Sequence, residues 1–214
     1  MNDMDSSSSI LILVGSPRRD GNSALLARAV ETGAREAGLA PRLRFLDDYI
    51  GGFLGDRTPS SEAPADRYGE LFLEEFLPAA GVVFCTPIYW YGMSAQTKAF
   101  FDRSFAYYSA TYPHHADVMK RMQGKRLALT LASEESYPGA GLGIVHQVQE
   151  FARYSHSAFV GYVHGAGNRR GEVARDPRDP VGAARRLGAE LLRRPYTDYR
   201  IDTPRSHDVW DAAA

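Results

Sequence analysis

Apolar residues fall along this chain in short unbroken runs, separated by longer stretches in which they recur every three or four positions. The first run, Ile10 to Val14, is rich in β-branched residues and bounded by Gly15 and Pro17, which suits a strand buried on both faces. From Ser23 onward, Ala24, Leu25, Leu26, Ala27, Ala29 and Val30 form one face of a helix that ends near Gly38. Runs at Val82 to Thr86, Arg126 to Ala132 and Ser157 to His164 predict three more strands, and charge alternating with apolar character from Arg42 to Leu46 predicts an edge strand. Helical spacing predicts helices over Glu70 to Ala79, Ala95 to Ser104 with Ser94 as its N-cap, Leu142 to Tyr154, and Asp179 to Arg194. Three segments have no period. They are the Gly- and Pro-rich stretch 47–66, read as a lid or a disordered excursion; the tyrosine-rich 105–124 with His114 and His115; and the tail 195–214 with Trp210.

Strands alternating with helices imply an α/β fold whose parallel sheet is covered on both sides and joined by right-handed crossovers. Of the common winding orders, a five-stranded chain suits the flavodoxin-like three-layer sandwich of order 2-1-3-4-5. That order places the turns after the first and third strands side by side, at the crevice where such sheets bind ligands. At 214 residues the chain is long enough for one core. The expected organisation is a disordered tail over 1–9, a single domain over 10–194 and a C-terminal extension over 195–214.

Composition narrows the functions. Twenty-five basic residues against 26 acidic ones remove the electrostatic footprint of a general nucleic-acid binder. The polar N-terminus precedes an apolar run too short for a signal-peptide core or a membrane span, so a cytoplasmic protein is expected. The single cysteine, Cys85, excludes an intramolecular disulfide and an all-cysteine metal site, and its apolar neighbours mark it as a packed thiol. No third ligand is spaced around His114 and His115, so no metal site is expected.

The turn Gly15 to Ser23 is where chemistry concentrates. A strand running into a helix leaves the first helical N–H groups unpaired and pointed, with the positive end of the helix dipole, at whatever lies above the strand. Ser16 and Ser23 add hydroxyls, Asn22 an amide, and Arg18 a guanidinium, whereas Arg19 is expected to face solvent. A triphosphate P-loop would need a lysine after Gly21, and a dinucleotide fingerprint would need glycines where Pro17 and Asp20 stand. A terminal monophosphate fits what remains. The other turn, Pro87, Ile88, Tyr89, Trp90, Tyr91 and Gly92, carries three consecutive aromatics where polar residues are usual, as if something flat covered them. The polar turn from Ser133 to Gly141 flanks both.

The stretches GSPRRDGNS, PIYWYGMSAQTKAFFDR and GKRLAL, in that order, resemble the flavodoxin-like NAD(P)H-dependent FMN reductases, which include quinone, azo-dye and chromate reductases. The resemblance implies that Ser16, Arg18, Asn22 and Ser23 hold the phosphate of FMN. Pro87, Ile88, Tyr89, Trp90, Tyr91 and Gly92 would border its ribityl chain and ring, with Ser133, Glu134 and Tyr137 beside them. It further implies a hydride passed from NAD(P)H through FMN to a small-molecule electron acceptor, and a homodimer or homotetramer. The iron-sulfur branch of that family has cysteines that would fall near residues 47–60; here there are none. The alternatives are a flavodoxin-like FMN electron carrier, which the near-neutral charge disfavours, and a scaffold that binds no flavin.

Overall fold

The computed structural model describes residues 8–55 and 66–195. Its parallel sheet consists of β1 (Ser9–Val14), β2 (Ala40–Phe45), β3 (Gly81–Tyr89), β5 (Arg126–Ser133) and β6 (Ala158–Ala166), with a short strand β4 (Gly92–Met93) pairing antiparallel to the end of β3. The order is β2-β1-β3-β5-β6, so the five parallel strands follow the expected 2-1-3-4-5 and β2 forms one edge. Every residue of β1 from Ile10 to Val14 is buried, as its unbroken apolar run requires.

Two helices, α1 (Asn22–Glu36) and α6 (Pro180–Glu190), cover one face of the sheet. There Ile10, Ile12, Val14, Leu26, Val30, Val83 and Leu187 belong to one buried cluster. The two helices approach so closely that a Cβ on Gly33 would lie 1.8 Å from the carbonyl oxygen of Arg185, and one on Gly188 would lie 2.1 Å from that of Val30. The opposite face carries α2 (Tyr68–Glu70), which runs into a π-helical segment Leu71–Phe76, together with α3 (Ala95–Tyr108), α4 (His115–Met122) and α5 (Leu142–Tyr154). Its core is aromatic: Phe72 stacks on Phe76 and Tyr107, and Phe100 meets Phe76 edge-on.

Several elements differ from their expected forms. The predicted helix 70–79 begins at Tyr68 and is mostly π-helical, a register that hydrophobic spacing does not signal. The stretch 105–124 is largely helical: α3 continues to Tyr108 and α4 begins at His115, while Tyr107 and Tyr112 pack edge-on to each other. His114 precedes α4, and Nδ1 of His115 lies 3.2 Å from the carbonyl oxygen of Tyr112. Helix α6 is shorter than predicted and starts after Asp179, whose carboxylate accepts from the Gly182 N–H at 2.9 Å. Of the stretch read as a lid, residues 47–55 are described. The Gly51 N–H donates to Asp66 at 2.8 Å, and Asp66 is paired in turn with Arg103 of α3. Residues 56–65, the tail 196–214 with Trp210, and most of the N-terminal tail lie outside the described residues.

Candidate functional site

Parallel strands end together, and at their C-terminal edge the loops after β1, β3, β5 and β6 enclose a cavity of about 300 Å³. Ser16, Arg18, Gly21, Asn22 and Ser23 line it from the first loop, Pro87, Ile88 and Tyr89 from the third strand, and Ser133, Glu134 and Glu135 from the fifth. The two turns that lie far apart in sequence therefore meet.

At the β1–α1 turn, Gly15 continues the ladder by donating to the Cys85 carbonyl at 2.8 Å, and Gly21 leads into α1. No side chain caps α1, and within the described protein no acceptor meets the N–H groups of Ser16, Asn22 or Ser23. These are free donors around a cavity, at the positive end of a helix. The Arg18 N–H bonds the Ser16 hydroxyl oxygen at 3.2 Å and tightens the turn.

The cations of the turn sort themselves by partner. Arg19 leaves the cavity, bonding Asp48 at 2.8 Å and stacking over Phe45 at 4.1 Å. Arg170, which lines the cavity from the loop after β6, is paired with Asp20. Among the described residues that line the cavity, Arg18 is the cation without a carboxylate partner. Glu134 and Glu135 line the same cavity from the turn after β5, so it presents carboxylates as well as cations.

Asn22 lines the cavity wall, but its side-chain amide is engaged. Nδ2 donates to the Gly167 carbonyl at 2.6 Å, and Oδ1 accepts from the Val173 N–H at 3.2 Å. The amide thus fastens the start of α1 to the loop after β6, which leaves the backbone N–H and the second Nδ2 hydrogen of Asn22 to offer an anion.

The aromatic turn is a hairpin. Strand β3 continues through Tyr89, Trp90 and Tyr91 make a two-residue loop, and β4 returns. Both loop residues have positive φ, 50° and 61°, the requirement of a type I′ turn that Asn and Gly normally meet. Trp90 is 97% exposed, and neither it, Tyr91 nor Gly92 lines the cavity. Tyr137 is likewise exposed, outside the cavity, beside Tyr91.

Beneath the other rim, the Ser133 hydroxyl donates to the Glu135 carbonyl at 2.7 Å and lies 2.7 Å from Nε2 of His164. Burial, with the Arg178 cation nearby, pulls His164 below its ordinary value, so the neutral imidazole is favoured. Cys85 is buried and its thiol is pushed up to about 12, which makes it an inert packing residue.

Sequence reasoning missed Gly167, Asn168 and Arg170, which line the cavity from the loop after β6. Their signal was topological: β6 is parallel to its neighbours and ends on the same edge.

Among known proteins, a 124-residue stretch of this chain is 33% identical to Bacillus subtilis YwqN, whose name gives it provisionally as an NAD(P)H-dependent FMN-containing oxidoreductase. The alignment takes in 57% of this chain and 65% of YwqN's length. Among solved structures, the Trp repressor binding protein of Bacillus subtilis superposes with a TM-score of 0.63 at 25% identity, over 87% of this chain and 99% of that one. The NAD(P)H:quinone oxidoreductase of Methanothermobacter marburgensis shares the fold with a TM-score of 0.65 at 18% identity, over 89% of this chain and all of its own (100%). The sequence model of the family described as having a flavodoxin-like fold matches residues 8–188, and with strand order and switch-point cavity in agreement, the chain belongs to that family.

Proposed function

We propose that this protein is an NAD(P)H-dependent FMN oxidoreductase that transfers a hydride from NAD(P)H, by way of FMN, to a small oxidised acceptor such as a flavin or quinone. The observation that carries the reading is the convergence on one cavity of the free N–H groups at the start of α1, the Ser16 and Ser23 side chains and the unpaired Arg18. This donor set fits a dianionic terminal phosphate, with no lysine or metal site required. FMN, when bound, supplies the two-electron chemistry.

The chain's own residues bind and orient. The phosphate belongs with Ser16, Arg18, Ser23 and the N–H groups of the turn. Glu134 and Glu135 repel an anion from their part of the cavity, which favours the phosphate at the β1–α1 turn. Pro87, Ile88, Tyr89 and Ser133 wall the space between, where a flat ring excludes water from the strand ends. The name of YwqN and the solved quinone reductase with the same fold support the assignment. Assembly as a homodimer or homotetramer belongs to the same reading and is supported by the bare aromatic side chains of the hairpin.

The experiment is reconstitution with FMN, an absorbance spectrum after removal of free flavin, and steady-state oxidation of NADPH and NADH with a quinone acceptor. A bound flavin spectrum and acceptor-dependent turnover are expected. Protein that stays colourless overturns the reading, and flavin bound without turnover of either nucleotide makes the protein an electron carrier instead.

A further inference from the structure

Resting on the FMN reading, we propose that Ser94 is the positioning residue of the phosphate turn: its hydroxyl holds the Gly15 carbonyl from below and thereby aims the Ser16 N–H at the phosphate.

Ser94 is the N-cap of α3, fully buried, and is not part of the lining of the cavity above the strands. A capping serine needs only the bond to the helical N–H, and here that bond, from the Thr97 N–H, is long at 3.3 Å. The short bond goes elsewhere: Oγ of Ser94 donates to the Gly15 carbonyl oxygen at 2.6 Å, across 79 positions of sequence. With its one proton committed to Gly15, Ser94 Oγ accepts from the Thr97 N–H and from the Thr97 hydroxyl at 2.9 Å. Its own N–H donates to Thr86 Oγ1 at 3.1 Å, so the same residue closes the returning arm of the aromatic hairpin.

A trans peptide is planar, and its C=O and the following N–H point in opposite directions. Fixing the Gly15 oxygen toward α3 therefore turns the Ser16 N–H away from α3. That N–H belongs to a residue only 4% exposed that lines the cavity, and it has no acceptor in the described protein. The arrangement also demands glycine at 15, because a Cβ there would lie 1.8 Å from Thr97 Oγ1 and 2.8 Å from Ser94 Oγ. One residue thus ties the turn that takes the phosphate to strand β3, whose last residues line the cavity.

The test compares FMN with riboflavin, which has the same ring and side chain without the phosphate, by titration of flavin fluorescence. In Ser94→Ala the dissociation constant for FMN is expected to rise about tenfold to a hundredfold, while that for riboflavin stays within about twofold. Thr97→Ala, which removes the hydroxyl bonded to Ser94 Oγ but leaves the bond to Gly15, is expected to keep the wild-type ratio of the two. Should the alanine variant not fold, Ser94→Cys, of nearly the same size but a much weaker donor, is read in the same way. Equal loss of both flavins in the Ser94 variant, no loss of FMN, or the same selective loss in Thr97→Ala overturns the proposal. Wild-type protein that binds neither flavin overturns the parent reading instead.

Discussion

Arg18 and Arg19 are neighbours in the chain with different partners, and the difference is measurable. On the proposed function, Arg18→Ala would remove a charge-assisted contact to phosphate and is expected to weaken FMN binding about tenfold to a hundredfold. Arg19→Ala is expected to leave FMN affinity unchanged and to cost at most about 1 kcal/mol of stability, since its partner Asp48 is half exposed. Flavin titration and urea unfolding of both variants check this. Trp90 is a second case in which a residue and its backbone disagree. It holds φ of 50° with its side chain almost wholly in water, so little packing offsets the strain. Trp90→Gly is expected to stabilise the fold by roughly 0.5–1 kcal/mol, seen as a higher urea midpoint at unchanged slope. The motif GSPRRDGNS made Ser16, Arg18 and Ser23 legible because their chemistry is local. What Asn22 binds was not legible, because its partners Gly167 and Val173 come from the far end of the chain.

At the scale of elements, buried strands were the clearest part of the sequence, since an unbroken apolar run such as Ile10 to Val14 has few other ways to avoid water. The hairpin was harder. Tyr89, Trp90 and Tyr91 read as a strand-to-helix turn because nothing in their composition announces a type I′ loop, which is normally built from Asn and Gly. Tyr107 and Tyr112 were hidden for a related reason: tyrosines suit a pocket, an interface or a core equally, and only packing against Phe72 and each other decides. The contact of α1 with α6 is the element-level feature that composition understates. Gly33→Ala would drive a methyl into the backbone of Arg185, which cannot rotate away as a side chain could. The expected cost is about 2–3 kcal/mol, measurable in equilibrium unfolding, because overpacking at a backbone contact forces the two helices apart.

For the whole molecule, stability should depend on pH through a group remote from the cavity. Lys125 is buried, and its amine donates to the carbonyls of Leu77 and Ala79. Burial, with Arg121 nearby, pulls it down to about 7, and a neutral amine still has two hydrogens for two carbonyls. Between about pH 7 and the unfolded value near 10.5, the unfolded chain binds more protons at this position than the folded one. Stability from this group therefore rises with pH across that window and levels off above it. Urea midpoints at pH 7 and 9.5 should show the rise in wild type and a smaller one in Lys125→Met.

The stitch from Asn22 to Gly167 and Val173 also bears on how the protein is made. Synthesis proceeds from the N-terminus, so the first turn leaves the ribosome long before the loop that secures it. A nascent chain halted before residue 167 carries the glycine-rich turn without that anchor and should not retain flavin. On the proposed function, loading then becomes a late step in biogenesis, coupled to arrival of the loop after β6, and a yellow product reports that this loop has closed onto the first turn.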